Sequence, residues 1–349
     1  MIKPLLVVIA ATWIGLPAGA QQAHEGPAPA QVEQRVEAGV DFLVSQVQRD
    51  GSVGRDGQNR NAMTALMVMS MISAGHQPAD YTPEGKVLRD AMNFILRDDR
   101  IDRNGYYGNS DGSRMYGHGI VTLMLCEMLG MGVDDAQDAL IRRRARAAID
   151  LILRAQNTRK REERYLGGWR YEPSSNDSDL SVTVWQVMSL RAAHSAGMQV
   201  PAQAIDNAVA YLERSYQATG RERGGFGYEP GQGPRYATTA AGLLAMLVCG
   251  RYEHEQVTGS ANYLLELGPQ QHDQWFYYGT YYYAVAMYQV GGEHARTAQA
   301  AVGQILSAGQ HRDGYWTSEH YHERNPIYAT CMAILALSVR HHYLPIYQR

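Results

Sequence analysis

One recurring phrase constrains the fold of this chain more than any other feature: a glycine-aromatic turn that leads into an apolar stretch. Its clearest copies read "GGWRYEP", "GGFGYEP" and "RDGYW". The turns are centred on Val53, Tyr107, Trp169, Phe226, Trp275 and Trp316, and the copy at Val53 is degenerate. The repeating unit is roughly fifty residues long, a period typical of supersecondary units that stack on one another.

Two kinds of helical pattern alternate with these turns. The stretches before the turns are amphipathic, as in "ALIRRRARAAIDLIL", where apolar side chains recur every three or four residues. The stretches after the turns, such as "TTAAGLLAMLVCG" and "YATCMAILALSV", are apolar on nearly every side, which indicates helices buried on every side. No convincing strand alternation appears. The sequence therefore predicts an all-α fold, an α/α toroid (barrel) of about six helical hairpin repeats.

The ring is expected to leave a central space, and the loop before each inner helix should open onto one end of it. We call this end the mouth. Because binding residues concentrate on loops that a rigid scaffold holds in place, the mouth is where we expect function.

The first residues have the pattern of a secretory signal. Lys3 precedes an apolar run from Leu5 to Leu16, and small residues follow at 18–20. The run is shorter than the roughly 18 residues that a membrane span needs. The sequence predicts a signal peptide over 1–20, a short linker over 21–30 and a toroid domain over 31–349. It predicts a secreted or periplasmic protein without an integral membrane segment, with an uncleaved anchor as the alternative.

Composition narrows the possible chemistry. The formal net charge is −3, so no nucleic-acid partner is expected. The three cysteines, Cys126, Cys249 and Cys331, lie in apolar helical stretches and are predicted to be buried free thiols. Tyrosine outnumbers phenylalanine 23 to 4, which indicates aromatic surfaces that face partly polar surroundings.

Several of these phrases resemble a known family. "QHRDGYW", from Gln310 to Trp316, is similar to the Gln-x-x-x-Gly-x-Trp repeat of squalene and terpenoid cyclases and of protein prenyltransferases. "GGWRYEP" and "MYGHGIVTLMLCE" resemble the prenyltransferase/squalene-oxidase-repeat proteins that some bacteria export. The resemblance covers residues 31–345. It implies the toroid fold and is much less specific for a reaction, since this scaffold hosts several functions.

The resemblance also suggests a catalytic acid. Class II terpenoid cyclases protonate their substrate with the middle acid of an Asp-x-Asp-Asp motif, and the matching stretch here is Asp177-Ser178-Asp179-Leu180. The resemblance implies that Asp179 is the proton donor and Asp177 its neighbour, but Leu180 stands in place of the third acid. Two nearby carboxylates raise one pKa, as a general acid requires. The alternatives are that these residues cap the inner helix beginning near Ser181, or that they contact a ligand.

The zinc site of protein prenyltransferases is not preserved. Arg235-Tyr236-Ala237 stands where that family has Asp-x-Cys, and Ala329 stands where it has the histidine. The loop "EHYHE" from Glu319 to Glu323 lacks zinc-peptidase spacing. We therefore expect no metal and no cofactor.

Other candidate residues lie at the starts of inner helices. His118, in "MYGHGIV", is predicted near the mouth as a general base or ligand contact, or else is satisfied by a backbone group. The predicted ligand-binding residues are Asn61, Tyr116, Arg235, Tyr236, Tyr281, Tyr282 and Tyr328. Such an aromatic cavity with polar accents suits a carbocation, a sugar or a lipid headgroup.

Three classes of function remain open at this point. The first is a protein that binds a small lipid, isoprenoid or glycan ligand without standard cyclase or zinc prenyltransferase activity. The second is an enzyme, either cyclase-like or acting on a polysaccharide, that uses Asp179, His118 or both. The third is a non-catalytic scaffold. An apolar cavity with Asp179 in its wall would favour a cyclase. A water-filled cleft would favour a glycan-acting enzyme, and a filled ring would favour a scaffold.

Overall fold

The structure is a computed structural model that describes residues 26–54, 59–220, 223–341 and 343–344. Within these ranges six outer helices alternate with six inner ones. The outer helices are α1 (Pro29–Ser45), α3 (Pro83–Leu96), α6 (Asp135–Gln156), α8 (Ala202–Ser215), α10 (Glu255–Leu267) and α12 (Gly292–Gly309). The inner helices are α2 (Arg60–Ser73), α5 (Arg114–Glu127), α7 (Leu180–Ser195), α9 (Tyr236–Val248), α11 (Phe276–Val290) and α13 (Pro326–Ser338).

The inner helices form a closed ring. Each packs on the next in chain order, and α13 packs on α2. The outer helices surround this ring, with α1 lying against the last inner helix, α13. The all-α toroid predicted from the repeat is confirmed.

Small elements occupy the connections. A one-turn helix, α4 (Gly108–Asp111), precedes α5, and the strands β1 (Tyr216–Gln217) and β2 (Gly225–Phe226) form an antiparallel hairpin before α9. Helix α1 begins at Pro29, so the last two residues of the predicted linker belong to the helix.

Close packing requires glycine in the turns at Trp169 and Trp316. Gly167 has a φ of +87°, and a Cβ on it would lie 2.0 Å from the carbonyl oxygen of Asn207 in α8. At Gly314 φ is +88°, and a Cβ would lie 2.2 Å from the carbonyl oxygen of Ala38 in α1. Both positions need glycine. The left-handed backbone disfavours a residue with a Cβ, and the neighbouring helix leaves no room for a Cβ. The contact of Gly314 joins the last unit to the first.

The aromatic anchors and the motif glutamines hold the turns against the helices. The indole Nε1 of Trp169 donates to the Ile152 carbonyl at 2.8 Å, and that of Trp316 donates to the Leu306 carbonyl at 2.7 Å. Gln310 Nε2 donates to the Gly314 carbonyl at 2.7 Å. The glutamine of the repeat motif thus binds backbone groups of its turn, as its position indicates.

A threonine in each of four inner helices sets the rotation of that helix. The backbone N–H of the anchor donates to its hydroxyl in the pairs Val53–Thr64 (3.1 Å), Trp169–Thr183, Phe226–Thr239 and Trp316–Thr330 (3.0 Å each). In the second unit His118 takes this place, accepting from the Tyr107 N–H at its Nδ1 at 3.4 Å. We call this the turn-binding position, and the bond is made in five of the six inner helices within the described residues.

The other structural expectations concern the termini and the cysteines. The predicted signal peptide over 1–20 lies outside the described residues and stays a prediction. Among the helices that are described, none combines the length and apolarity needed to cross a bilayer. Cys126 and Cys331 are buried and Cys249 is half-buried, and all three are free thiols.

Candidate functional site at the mouth of the ring

All six inner helices begin at the mouth, because every outer helix returns the chain to the same end of the ring. Their N-termini therefore converge there. Each helix N-terminus carries unpaired N–H groups and a partial positive charge, so the mouth is a polar environment that favours acidic and hydroxyl partners.

The residue two positions before the turn-binding position lies at the inner side of the mouth in each unit. These residues, which we call the mouth ring, are Ala62, Tyr116, Ser181, Ala237, Tyr278 and Tyr328. The Tyr278 hydroxyl donates to the Ser181 carbonyl at 3.3 Å, a contact from α11 to α7 across the intervening α9. Tyr116 and Tyr328 are half-buried, so their side chains remain accessible.

A layer of aromatic side chains closes the ring beneath the mouth. Trp185 of α7 stacks on Tyr281 with centroids 6.1 Å apart and meets the edge of Tyr282 at 5.7 Å. These three side chains are 2%, 2% and 0% exposed. Because α7 and α11 are not neighbours, the contacts span the centre. Tyr281 and Tyr282 were predicted to bind ligand from an open cavity, but they form a packed floor. The centre of the ring is therefore filled at this level, which is the feature expected of the scaffold alternative, and a ligand site at this end would have to lie above the floor. We call the space at the mouth above this floor the bowl.

Asp179 caps helix α7. Its Oδ1 accepts from the Val182 N–H at 2.9 Å and from the Ser181 hydroxyl at 2.6 Å. Its Oδ2 makes no hydrogen bond within the described residues and lies 3.4 Å from Arg170 Nε. Burial raises the pKa of Asp179 to about 6, although the cap bonds and Arg170 oppose that rise. The capping alternative therefore describes the observed geometry.

Arg170 separates Asp179 from the other carboxylates of this unit. It donates to Glu229 at 2.6 Å, and its Nε lies 3.9 Å from Asp177 Oδ2. Asp177 is also 3.6 Å from Arg161. The two aspartates thus face guanidinium groups instead of forming a bare acid pair, which weakens the like-charge effect that a strong general acid needs.

Two further tyrosines extend the mouth beside this network. Tyr171 stacks on Tyr116 with centroids 6.0 Å apart, and its hydroxyl lies 2.7 Å from that of Tyr228. The guanidinium of Arg170 lies over both rings, 5.2 Å from Tyr171 and 5.6 Å from Tyr228. All three side chains are half-buried, so this side of the bowl presents phenol hydroxyls and one cation.

His118 lies away from the mouth, so its predicted position there is wrong, whereas the alternative that a backbone group satisfies it describes the observed geometry. It is fully buried between α5 and α6, with Nε2 3.0 Å from the Ala148 carbonyl and Nδ1 accepting from Tyr107. Burial lowers the pKa of His118 to about 4, so the ring is neutral at physiological pH. The reason is that His118 occupies the turn-binding position, which faces the outer layer.

The remaining predicted residues divide between mouth and interior. Tyr116 and Tyr328 belong to the mouth ring, and Arg235 is exposed at the N-terminus of α9. Asn61 is buried and donates to the Tyr107 carbonyl at 3.1 Å and to Ser110 at 2.8 Å, so it does not face the bowl. Tyr236 is 7% exposed, and its ring packs 5.8 Å from that of Tyr283.

Sequence reasoning missed Arg170, Tyr171 and Tyr228 of the mouth, and it also missed Tyr278 and Glu323. Tyr278 lies in the run "FYYGTYYY", where the aromatic pattern alone does not show which tyrosine faces inward. Alignment of Thr280 with the turn-binding threonines would have found it, although the Thr280 hydroxyl itself makes no hydrogen bond within the described residues. Glu323 accepts from the backbone N–H groups of Tyr277 at 2.9 Å and Tyr278 at 2.8 Å, and so caps α11 from the following unit. Nothing local in the sequence marks that contact.

Glu323 is an unusual carboxyl group. It is 0% exposed, and burial raises its pKa to about 7 against the two N–H donors that lower it. Asp111 plays the same part for α2, accepting from the Asn61 N–H at 2.7 Å. Carboxylates therefore lie at the N-termini of three inner helices, where the helix dipole favours them.

No group of three metal-binding side chains is found in the part of the chain that the structure describes.

The fold and the converging inner helices define the class of this protein: it is an α/α toroid. No family model matches the sequence. The sequence also has no match among curated proteins.

Solved structures with this fold include enzymes of two kinds. An inactive variant of the α-1,6-mannanase GH76A of Salegentibacter sp., in complex with α-1,6-mannotriose, has a TM-score of 0.61 at 10% identity over 88% of this chain and 99% of that one. A variant of the type II terpene cyclase MstE from Scytonema, with geranylgeranyl dihydroxybenzoate, has a TM-score of 0.59 at 14% identity over 90% and 99%. A protein from Actinoplanes has a TM-score of 0.55 at 17% identity over 88% and 98%. At these identities the likeness shows the fold alone.

Proposed function

We propose that this protein is an exported binding toroid that takes a glycan in the bowl at its mouth, without the proton-donor chemistry of a terpenoid cyclase. The observation that carries the proposal is the accessible wall of hydroxyl-bearing aromatic side chains. Tyr116, Tyr328, Tyr171 and Tyr228 are all half-buried there. A phenol ring offers an apolar face and a hydroxyl together, and a pyranose ring offers the complementary pair.

The bowl suits a sugar better than a long hydrocarbon. Tyr171 and Tyr228 share a hydrogen bond, but an apolar chain seated on the wall would strip water from hydroxyls that it cannot pair with, at a cost of about 1–3 kcal/mol for each one left unpaired. The floor of Trp185, Tyr281 and Tyr282 also leaves little depth for an extended isoprenoid. A structural neighbour is a mannanase solved with α-1,6-mannotriose, which makes that oligosaccharide a sensible first probe.

The test compares ligand affinity in matched variants. Wild-type protein is titrated by calorimetry with α-1,6-mannotriose and with oligosaccharides from cell-wall glycan. Removing two wall hydroxyls, in Tyr116→Phe with Tyr328→Phe, should raise Kd about tenfold, because each hydrogen bond contributes about 0.5–1.5 kcal/mol. Tyr81→Phe is the control, since Tyr81 is fully exposed on the α2–α3 loop at the opposite end of the ring. Failure of every glycan to bind, or preferential binding of lipids, would overturn the proposal.

Acid catalysis by Asp179 is the second candidate function. It is favoured by one observation: Asp179 Oδ2 is buried without a hydrogen bond, and burial raises the pKa of this group to about 6. Asparagine is also a good N-cap residue, so Asp179→Asn should retain the fold.

We expect no new product when wild type is incubated with geranylgeranyl dihydroxybenzoate or with cell-wall glycan, by mass spectrometry. We also expect Asp179→Asn to bind glycan as wild type does, within about twofold. A product that wild type forms and Asp179→Asn does not would make Asp179 a catalytic acid and replace the binding proposal.

A further inference from the structure

A stripe of aromatic side chains on α11 leads from the floor of the bowl to its rim. Tyr282, Tyr278 and Trp275 are 0%, 7% and 39% exposed in that order. Tyr282 and Tyr278, four residues apart, lie on one side of the helix with ring centroids 4.6 Å apart. Trp275 precedes the first residue of α11, about one helical turn, or ~5 Å, above Tyr278. Exposure therefore increases from the floor, through the mouth, to the residue that precedes the helix.

At the rim this path meets a second aromatic group from the loop before α13. Trp275 stacks on His322 with centroids 4.7 Å apart and an interplanar angle of 27°. His322 meets Tyr321 edge-on at 5.4 Å, and the guanidinium of Arg324 lies 4.5 Å over the Tyr321 ring. Tyr321 is 71% exposed. We call Trp275, Tyr321 and His322 the rim ledge.

The loop that carries Tyr321 and His322 is bonded to α11 at two points. Glu323, next to His322, caps α11 through the Tyr277 and Tyr278 N–H groups. The Tyr277 hydroxyl donates to the Thr317 carbonyl at 2.9 Å, at the start of the same loop. This loop is thus anchored to α11 before any ligand arrives, which lowers the entropic cost of binding against it.

The exposure of the ledge is not explained by the fold. The other three tryptophans in the described residues, Trp169, Trp185 and Trp316, are buried. Two aromatic side chains cover at most about 500 Å² between them, well below the ~800 Å² that a stable protein partner buries on each side. A small flat ligand with an apolar face fits this area better than a protein does.

We propose that the rim ledge is an outer subsite, where Trp275 and Tyr321 stack on sugar residues of the same glycan whose end lies in the bowl. This inference rests on the proposed function, since it requires a glycan in the mouth. It adds that the ligand is a chain of several sugars, an oligosaccharide or the end of a polysaccharide, and not a single sugar. Longer chains gain affinity from the ledge.

The test measures affinity against chain length. Mannose, α-1,6-mannotriose, α-1,6-mannotetraose and size-fractionated cell-wall oligosaccharides are titrated into wild type and into Trp275→Ala with Tyr321→Ala. For the longest chain that binds, Kd should rise about tenfold or more, because each aromatic contact contributes about 0.5–1.5 kcal/mol. For the shortest ligand that binds, Kd should stay within about twofold. Tyr81→Ala is the matched control, since it removes an exposed tyrosine far from the mouth.

Tryptophan fluorescence gives a second readout on wild type. Trp275 is the exposed tryptophan of the described residues, so acrylamide should quench it most readily. A long oligosaccharide should shield it, and mannose should not.

Each outcome separates the two proposals. Binding with equal affinity in wild type and the ledge variant would overturn the outer subsite and leave the binding function intact. A loss that is equal for short and long ligands would also overturn it, as would a change in oligomeric state on gel filtration, which would make the ledge a contact between two copies. If no glycan binds the folded wild type, the proposed function fails and the subsite with it.

Discussion

Replacing Trp316 by alanine is expected to lower the free energy of unfolding by about 3–5 kcal/mol, the range found for deleting large buried aromatic side chains. Trp316 is 0% exposed, and its indole N–H holds the Leu306 carbonyl of α12. The ring also lies so close to Gly39 of α1 that a Cβ there would be 2.9 Å from Cζ3. The substitution therefore opens the seam between the last repeat and the first.

Urea unfolding followed by circular dichroism measures this effect, and Trp275→Ala provides the matched control. Because Trp275 is 39% exposed, the same substitution there should cost less than about 1 kcal/mol. A small loss at Trp316, comparable to that at Trp275, would mean that the packing of the Trp316 turn against α1 and α12 adds little to stability.

The second large effect is a pH dependence at Glu323. Burial raises the pKa of this carboxyl from 4.5 to about 7, so the native state binds a proton more tightly than the unfolded state does. The contribution of the Glu323 carboxyl to the free energy of unfolding is fully present below pH ~4.5 and is lost as the pH rises through ~7. Glutamine does not titrate, so the free energy of unfolding of wild type should fall by about 3 kcal/mol relative to that of Glu323→Gln over this pH window.

The measurement is the free energy of unfolding of both proteins from pH 4 to pH 8. The pKa of Asp179 is raised in the same direction, but Asp179 is present in both proteins and cancels in the difference. Glu319→Gln is the control, because it makes the same substitution at an exposed position of the same loop. Parallel curves for Glu323→Gln would show that the Glu323 side chain is not buried against α11.

The parts of the site that were foreseen are those whose signals are local. Asp179 lies directly before an apolar helix, so its capping role could be weighed from the sequence, and the cap is observed. Tyr116 and Tyr328 were placed near the mouth because they stand at helix starts. His118 stands at a helix start as well, yet it faces outward, because a shift of two residues turns a helical side chain by more than half a turn.

The contacts that were missed join distant parts of the chain. Glu323 and the N-terminus of α11 are 46 residues apart at their point of contact, and Asp111 and the N-terminus of α2 are 50 apart. Both caps come from the following repeat. These caps form only when neighbouring units have stacked, and no residue type at a fixed spacing predicts them.

The amino-acid sequence by itself determined the architecture: the period of the turns, the alternation of outer and inner helices, and the glycines at the close contacts of the ring. Each of these follows from periodicity or backbone conformation within a few residues, and each is read without knowing the fold. Tertiary structure alone decided which side of each inner helix faces the mouth. It also placed Tyr281 and Tyr282 in the floor. The reason is that helix rotation is set by a hydrogen bond from the turn to Thr183 and its counterparts, and depth is set by side chains that meet across the closed ring.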